Sequence, residues 1–411
     1  MKMQKIDQNI PAYQSGDLAM TSFRAEGTGD QRPWRGINPA ISRVASVIAG
    51  LALFGMAMAP AAVRADPVDK YIAAKMAEKS IPGLALAVIR DGHVLKEKAY
   101  GYANLELKAP VTLQTSFQWA STTKIFTSVA LMQMVEQGKI TLDQPVSTIV
   151  PGLPPTWSKV TIRHCLSHTT GLPYAVEDQF NIQVLDGDRD QLFAKLSSKP
   201  VVEPGTQTDY NTTDFVLLTM VIEKVSGLSY EDYMQRFVLD PAGIKTARFG
   251  DSWAIIPGRA DLYTNLDITA DHKWLAVRDG KPVLLKTGVL HYGQKSWPDY
   301  VQSQAGLNGS IQDLIAWEAA LDGAKLIKAE SLAQMERPYK MADGTDDFFG
   351  LGFIAYPIAG PGSVSYGGGA QGWRVKVPSK HLTVIILTNM QGALPEEFIS
   401  EVVALYPPKP H

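Results

Sequence analysis

The order of elements along the chain predicts an α/β fold: a mixed, mainly antiparallel sheet flanked by helices, with a mostly helical domain inserted between its strands. Three observations carry this expectation. Runs that read as strands gather at the two ends, at 84–90, 93–101, 372–377 and 382–388. The middle of the chain carries helical stretches broken by Pro- and Gly-rich loops. One stretch, 124–137, is apolar nearly all round, which is how a helix buried at the centre of a fold reads. A sheet closed by strands from both ends around inserted helices satisfies all three.

The first 65 residues are expected to stand outside that fold. Residues 44–59 (VASVIAGLALFGMAMA) form an apolar run preceded by Arg35 and Arg43. Val63-Arg64-Ala65 then offers short residues at the −3 and −1 positions of a cleavage site, completing the layout of a secretory signal. The run is short for a membrane span, which needs ~20 residues. Export to the periplasm or the medium is therefore expected, with cleavage after Ala65 and no stable membrane anchor afterwards. The fold proper is expected over 66–411, its α/β part built from about 66–118 and 302–411 and its helical part from about 119–301.

Within the body, 68–79 reads as an amphipathic helix. Strands at 84–90 and 93–101 meet at Asp91-Gly92, a strong hairpin signal. The helix over 124–137 has Gly138 as its stop. Further helices are expected at 215–225, 311–321 and 396–405, a small hairpin at 274–285 turning at Asp279-Gly280, and strands at 353–356, 372–377 and 382–388.

Composition narrows the function. Of 411 residues, 45% are apolar and 19% charged, so the chain can bury a substantial core. The net charge of −2 argues against a nucleic-acid partner. Without the first 65 residues, which hold 7 basic and 4 acidic side chains, 32 basic and 37 acidic remain, a net −5. The lone Cys165 excludes an intramolecular disulfide, a multi-cysteine zinc site and a CxxC redox pair.

Ser121-Thr122-Thr123-Lys124 is the first constellation that carries chemistry. Positions i and i+3 share a helix face, so a serine in the first turn of the buried helix has a lysine amine within reach. A serine hydroxyl needs such a base to become a nucleophile, and a helix N-terminus favours developing negative charge. One S-x-x-K alone is weak evidence, because chance supplies about one in a chain of this size.

Context strengthens it. The stretches 117–151 (FQWASTTKIFTSVALMQMVEQGKITLDQPVSTIVP) and 160–173 (VTIRHCLSHTTGLP) closely resemble the serine β-lactamase and DD-peptidase superfamily, best in its class C branch with the related esterases and D-amino-acid peptidases. The resemblance continues through Glu203-Pro204-Gly205-Thr206, Tyr210, Gly306-Leu307, Asp313-Leu314, Trp317, Phe349-Gly350-Leu351-Gly352 and Leu387-Thr388-Asn389. It implies a class C β-lactamase-like fold and acyl transfer. Ser121 would form the acyl-enzyme and Lys124 would help deprotonate it, with no metal or organic cofactor.

The same resemblance implies a Tyr-x-Asn motif, matched by Tyr210 with Thr212 in the asparagine place and Asn211 one position early. Tyr210 would then be general base or proton shuttle, with Asn211 and Thr212 near substrate. It also implies a Lys-Thr-Gly or His-x-Gly strand beside the serine. Lys286-Thr287-Gly288 is a literal match, but it leaves 123 residues behind it, whereas the family keeps this strand near the C-terminus. Tyr366-Gly367-Gly368-Gly369, followed by Gly372-Trp373, fits the family order better. Tyr366, Gly367 and Gly368 would flank substrate, and the N–H groups of Gly369 and Ser121 would form the oxyanion hole. A lysine or histidine there serves a substrate carboxylate in relatives, and the esterase branch accepts an aromatic. The implied substrates are thus small esters or lactones, with two alternatives: a D-amino-acid peptidase, amidase or β-lactamase acting on amides or short peptides, and a non-catalytic penicillin-binding-like protein.

Other signals carry less. The match of 367–372 to GxGxxG precedes a strand, not a helix. His164 and His168 stand four apart without a third ligand. Gly250-Asp251-Ser252 lacks the rest of a hydrolase block, and no Gly-x-Ser-x-Gly elbow occurs. Trp253, Trp274, Tyr292 and Trp297 are candidates to line a cleft, though packing of an inserted loop region explains each one as well.

Overall fold

In the computed structural model, residues 66–175, 189–199, 201–266, 275–278, 281–284, 286–293, 299–369 and 371–408 are described. The expected signal segment and its cleavage site, Trp274, Asp279-Gly280 and Trp297 lie outside the described residues.

Helix α1 (Pro67–Lys79) opens the fold with Pro67 at its first position and the Asp66 carboxylate accepting from the Val68 N–H. Strands β1 (Gly83–Arg90) and β2 (His93–Asn104) follow, joined by Asp91-Gly92 with both residues at positive φ. That is the turn whose twist suits a two-residue hairpin. The short β3 (Ala109–Pro110) ends this N-terminal ladder. From the other end of the chain come β4 (Val364–Gly368), β5 (Gly372–Val377) and β6 (Leu382–Thr388). They join in the order β4-β5-β6-β1-β2-β3, every pair antiparallel. The sheet is therefore closed by β6 against β1, with Ala85 opposite Leu387 and Ala87 opposite Ile385.

β1 is buried on both faces, and its alternation assigns them. Leu84, Leu86 and Val88 pack with Val68, Ile72, Phe398 and Val402, the side of α1 and the C-terminal helix Ile399–Ala404. Ala85, Ala87 and Ile89 join the larger cluster with the helical residues. Small side chains on that face let the helices approach the sheet closely.

The middle of the chain supplies α2 (Thr123–Glu136), α3 (Ile162–Leu166) and α4 (Thr212–Ser226), and α5 (Ile311–Asp322) precedes the returning strands. α2 is buried from Thr123 to Met132 and again at Met134, as its apolar circumference implies. Gly138, at φ +69, follows its last turn. α5 begins in a capping box between Ser310 and Asp313. The hairpin expected at 274–285 pairs Leu275–Arg278 with Lys281–Leu284.

Two expectations need correction. Residues 353–356 form no strand: Ile354 makes only single bridges to Phe349 and Ser365, and Gly352 at φ +87 turns the chain just before them. The expected closing helix is broken at Phe398, so that a 3₁₀ turn over Pro395–Glu397 precedes Ile399–Ala404.

Candidate active site

Ser121 sits in a single 3₁₀ turn, Ala120–Thr122, that feeds directly into α2. Ala120, just before it, is left-handed at φ +46, a conformation that costs a residue with a Cβ about 1 kcal/mol. The surrounding structure holds it there. Trp119 donates its N–H to the Leu307 carbonyl at 2.9 Å and its indole N–H to Gly309 at 3.0 Å. Its ring stacks on Phe126, which stacks on Trp317.

Lys124 is the second residue of α2, one turn after Ser121, and its buried Nζ is 3.2 Å from Ser121 Oγ and 3.2 Å from the Gln304 carbonyl. The Tyr210 hydroxyl lies 2.7 Å from the same Oγ. The Lys124 ammonium also stands 4.8 Å from the centre of the Tyr210 ring. The three side chains therefore converge on one oxygen, although Tyr210 is 89 residues from Ser121 in sequence.

β4 runs beside this turn. A Cβ built on Gly368 would overlap Ser121 N, Trp119 O and Thr122 N, so only glycine lets the strand lie this close. Gly369 follows at φ +62, and a Cβ there would meet that of Ala120. Gln371 ties the end of the turn to the serine segment by donating its side-chain amide to the Gln118 carbonyl at 2.7 Å. Among the described residues, neither Ser121 N–H nor Gly369 N–H has a hydrogen-bond acceptor. Two free donors beside a nucleophile are what an incoming oxyanion requires.

Three residues proposed to touch substrate do something else. Tyr366 is buried, and its hydroxyl donates to Glu318 Oε1 at 2.6 Å, with the Arg374 guanidinium 5.1 Å from its ring. Burial first, and Glu318 beside it second, push its phenol far above the usual range. Alternation puts Tyr366 on the same face of β4 as Gly368, but two positions earlier along the strand, where its hydroxyl meets Glu318 of α5 rather than the serine. Gly367 packs under the Trp373 ring, where a Cβ would overlap it. Asn211 caps α4, accepting from Thr213 N–H at 2.9 Å and donating to the Leu172 carbonyl at 2.6 Å. Thr212 opens α4, and its buried hydroxyl has no partner among the described residues.

The two histidines have separate duties. His164 Nδ1 accepts from the Thr161 N–H in the cap of α3. His168 is fully buried, with Nδ1 2.9 Å from Asp214 Oδ2. Burial, and then Lys124, hold its imidazole well below the usual range, while burial pushes the Asp214 carboxyl well up. Sequence reasoning missed this pair at the site; its available signal was Asp214, an acid on the otherwise apolar face of the helix that Tyr210 precedes. Lys286-Thr287-Gly288 lies on the strand Lys286–Tyr292, which pairs with Tyr263–Leu266 in a different sheet from β4. Trp253 and Tyr292 are exposed.

Comparison with known proteins gives the chain a family. The family described as Beta-lactamase matches residues 68–404. Penicillin-binding protein 4* of Bacillus subtilis (strain 168) is 28% identical over 319 residues, covering 75% of this chain and 68% of its own length. D-aminopeptidase of Gluconobacter oxydans (strain 621H) is 25% identical over 327 residues, covering 76% of this chain, while this chain spans only 56% of that protein. Among solved structures, EstCE1, described as a hydrolase with promiscuous acyltransferase activity, superposes with a TM-score of 0.65 at 23% identity, covering 83% of this chain and 97% of its own. Since the match runs through nearly all of the described fold, the chain belongs to the Beta-lactamase family and so to the β-lactamase-fold serine hydrolases that its motifs resemble.

Proposed function

We propose that the chain is an exported serine hydrolase that cleaves carboxylic esters or lactones through a Ser121 acyl-enzyme. One observation carries the substrate class. The strand beside the serine reads Val364-Ser365-Tyr366-Gly367-Gly368, without a basic side chain, and its tyrosine is committed to Glu318 in the core. Arg374 on the next strand is bonded to Glu318 as well. A substrate carboxylate therefore finds no cation on this strand, whereas a neutral ester or lactone needs none.

The reaction follows from the contacts. Ser121 Oγ attacks the acyl carbon while its proton passes to the Tyr210–Lys124 pair, and the carbonyl oxygen moves between the Ser121 and Gly369 N–H groups. The C–O bond to the leaving alkoxide breaks as the alkoxide takes the proton. Water then attacks the acyl-serine by the reverse path, releasing the acid and restoring the Ser121 hydroxyl.

Export is part of the same reading. Asp66, the residue after the proposed cut, already serves the fold as the cap of α1. N-terminal sequencing of protein recovered from the periplasm or medium is expected to begin at Asp66; protein retained in the cytoplasm with an intact leader would refute export.

Intact-mass analysis and steady-state kinetics test the chemistry. Wild type is expected to gain the acyl mass from p-nitrophenyl esters, Ser121→Ala to gain none, and kcat/KM for the ester to exceed that for nitrocefin or D-peptides by at least ~100-fold, about 2.7 kcal/mol of transition-state preference. Comparable turnover of nitrocefin or a D-peptide would replace the ester reading with the β-lactamase or peptidase one. Failure of a fluorophosphonate to modify Ser121 would make the chain a binding protein on this scaffold.

A further inference from the structure

His168 contacts the segment around Tyr210 in three ways. The His168 carbonyl accepts from Asp209 N–H at 2.8 Å, and its Nδ1 accepts from Asn211 N–H at 3.2 Å. Its ring lies 4.6 Å from that of Tyr210, centre to centre. The 208–209 peptide, the 210–211 peptide and the Tyr210 ring are thus all contacted from one position. His168 reaches them from a left-handed backbone, φ +57, just past the end of α3. Phe215 and Phe349 enclose the imidazole at 5.4 and 5.1 Å.

The hydrogen bonds also define the protons. Nδ1 can accept from the Asn211 N–H only with its lone pair, so the ring proton sits on Nε2 and the imidazole is neutral. Asp214 Oδ2 lies 2.9 Å from the same Nδ1, so a hydroxyl there shares the one lone pair with the Asn211 N–H in a bifurcated bond. A carboxylate there would set acceptor against acceptor, whereas a carboxylic acid donates. Asp214 Oδ1 in turn accepts from the Thr170 hydroxyl at 2.6 Å, which suits the carbonyl oxygen of an acid. Burial of both groups favours the same uncharged forms.

We propose that His168 and Asp214 are positioning residues for the reaction, a neutral acid–imidazole pair that holds the Tyr210 hydroxyl on Ser121. The inference rests on the reading of Tyr210 as part of the catalytic base. It departs from the ordinary account of such a pair as an ion pair: no charge is shared, and the acid acts only as a donor to the ring that clamps residues 209–211.

The test is the rate of Ser121 modification by a fluorophosphonate, with p-nitrophenyl acetate kinetics alongside, in Tyr210→Phe, His168→Asn, Asp214→Leu and Asp214→Asn. Asparagine tolerates the left-handed backbone at 168 but does not reproduce the ring. His168→Asn and Asp214→Leu are expected to slow modification and kcat about 10- to 100-fold, with KM within threefold, since misplacement of a catalytic group near 1 Å has effects of this size. Asp214→Asn is expected to recover the rate to within threefold, because its amide can donate to Nδ1 and accept from Thr170. A folded Asp214→Asn as slow as Asp214→Leu would overturn the neutral pair. Modification of His168→Asn at the wild-type rate, with Tyr210→Phe slow, would overturn the positioning role alone. Tyr210→Phe at the wild-type rate would instead remove Tyr210 from the base and leave nothing for the pair to position.

Discussion

Ser121 Oγ has a nitrogen neighbour at 3.2 Å and an oxygen neighbour at 2.7 Å, and the proposed chemistry depends on both. Removing the hydroxyl in Tyr210→Phe is expected to lower kcat by roughly 10²–10⁴ with little change in KM, the range for loss of a positioned proton-transfer group; steady-state turnover of a p-nitrophenyl ester reads it. A KM effect without a kcat effect would mean that Tyr210 only binds substrate. Glu396 supplies a residue-level prediction for stability. Burial pushes its carboxyl from 4.5 up to about 7. A carboxyl raised in the folded state favours folding least once the unfolded chain has ionised, so the cost grows from about pH 4.5 and is complete above pH 7. Glu396→Gln is expected to raise the melting temperature by a few degrees at pH 8 and hardly at all at pH 4.5; equal effects at both would refute the ionised group. The contact legible in the sequence was the one that depends on local spacing: Ser121 and Lys124, three apart across the start of α2, meet at 3.2 Å. Asn211 and Tyr366 were misread because their fates are set by partners far away, Leu172 and Glu318, which no local pattern reveals.

At the scale of elements, the approach of β4 to the serine turn decides whether two N–H donors face the nucleophile. Gly368→Ala places a methyl on Ser121 N and is expected to separate strand and turn, at about 1–3 kcal/mol of stability, with kcat falling more than 100-fold. Urea unfolding and ester kinetics on one preparation check both, and wild-type kcat would show that the strand is not the oxyanion wall. Elements with strong periodicity or turn chemistry were readable: α1, the Asp91-Gly92 hairpin, α2 with Gly138, and β5 and β6. The stretch 353–356 was not. Its apolar residues look like a strand, yet Phe353 is buried among side chains of the core, and the backbone around it finds only single bridges. Burial without a ladder has the same composition as burial within one.

For the whole molecule, the Arg374–Glu318 pair joins the sheet to α5 in a fully buried setting. Burial opposes the Arg374 charge, but Glu318 outweighs it and the guanidinium stays protonated above its usual range. Arg374→Met leaves Glu318 uncompensated and is expected to cost about 3–5 kcal/mol in urea unfolding, whereas the double change Arg374→Met with Glu318→Leu should recover most of it. No recovery in the double variant would show that the pair contributes more than mutual neutralisation. The two-ended origin of the sheet was legible because strand signals cluster at both ends of the chain. Which face each strand presents to the site was not, since that follows from packing against α5.

Closure of the sheet by β6 against β1, some 300 positions upstream, also sets when the protein becomes reactive. A growing chain contains Ser121, Lys124 and Tyr210 long before it contains Val364–Gly368. Contacts of such long range form late in folding. On the proposed mechanism Ser121 is therefore made without its oxyanion wall and stays silent until Val364–Gly369 is made and paired, so that synthesis and folding, rather than a separate inhibitor, delay the first turnover.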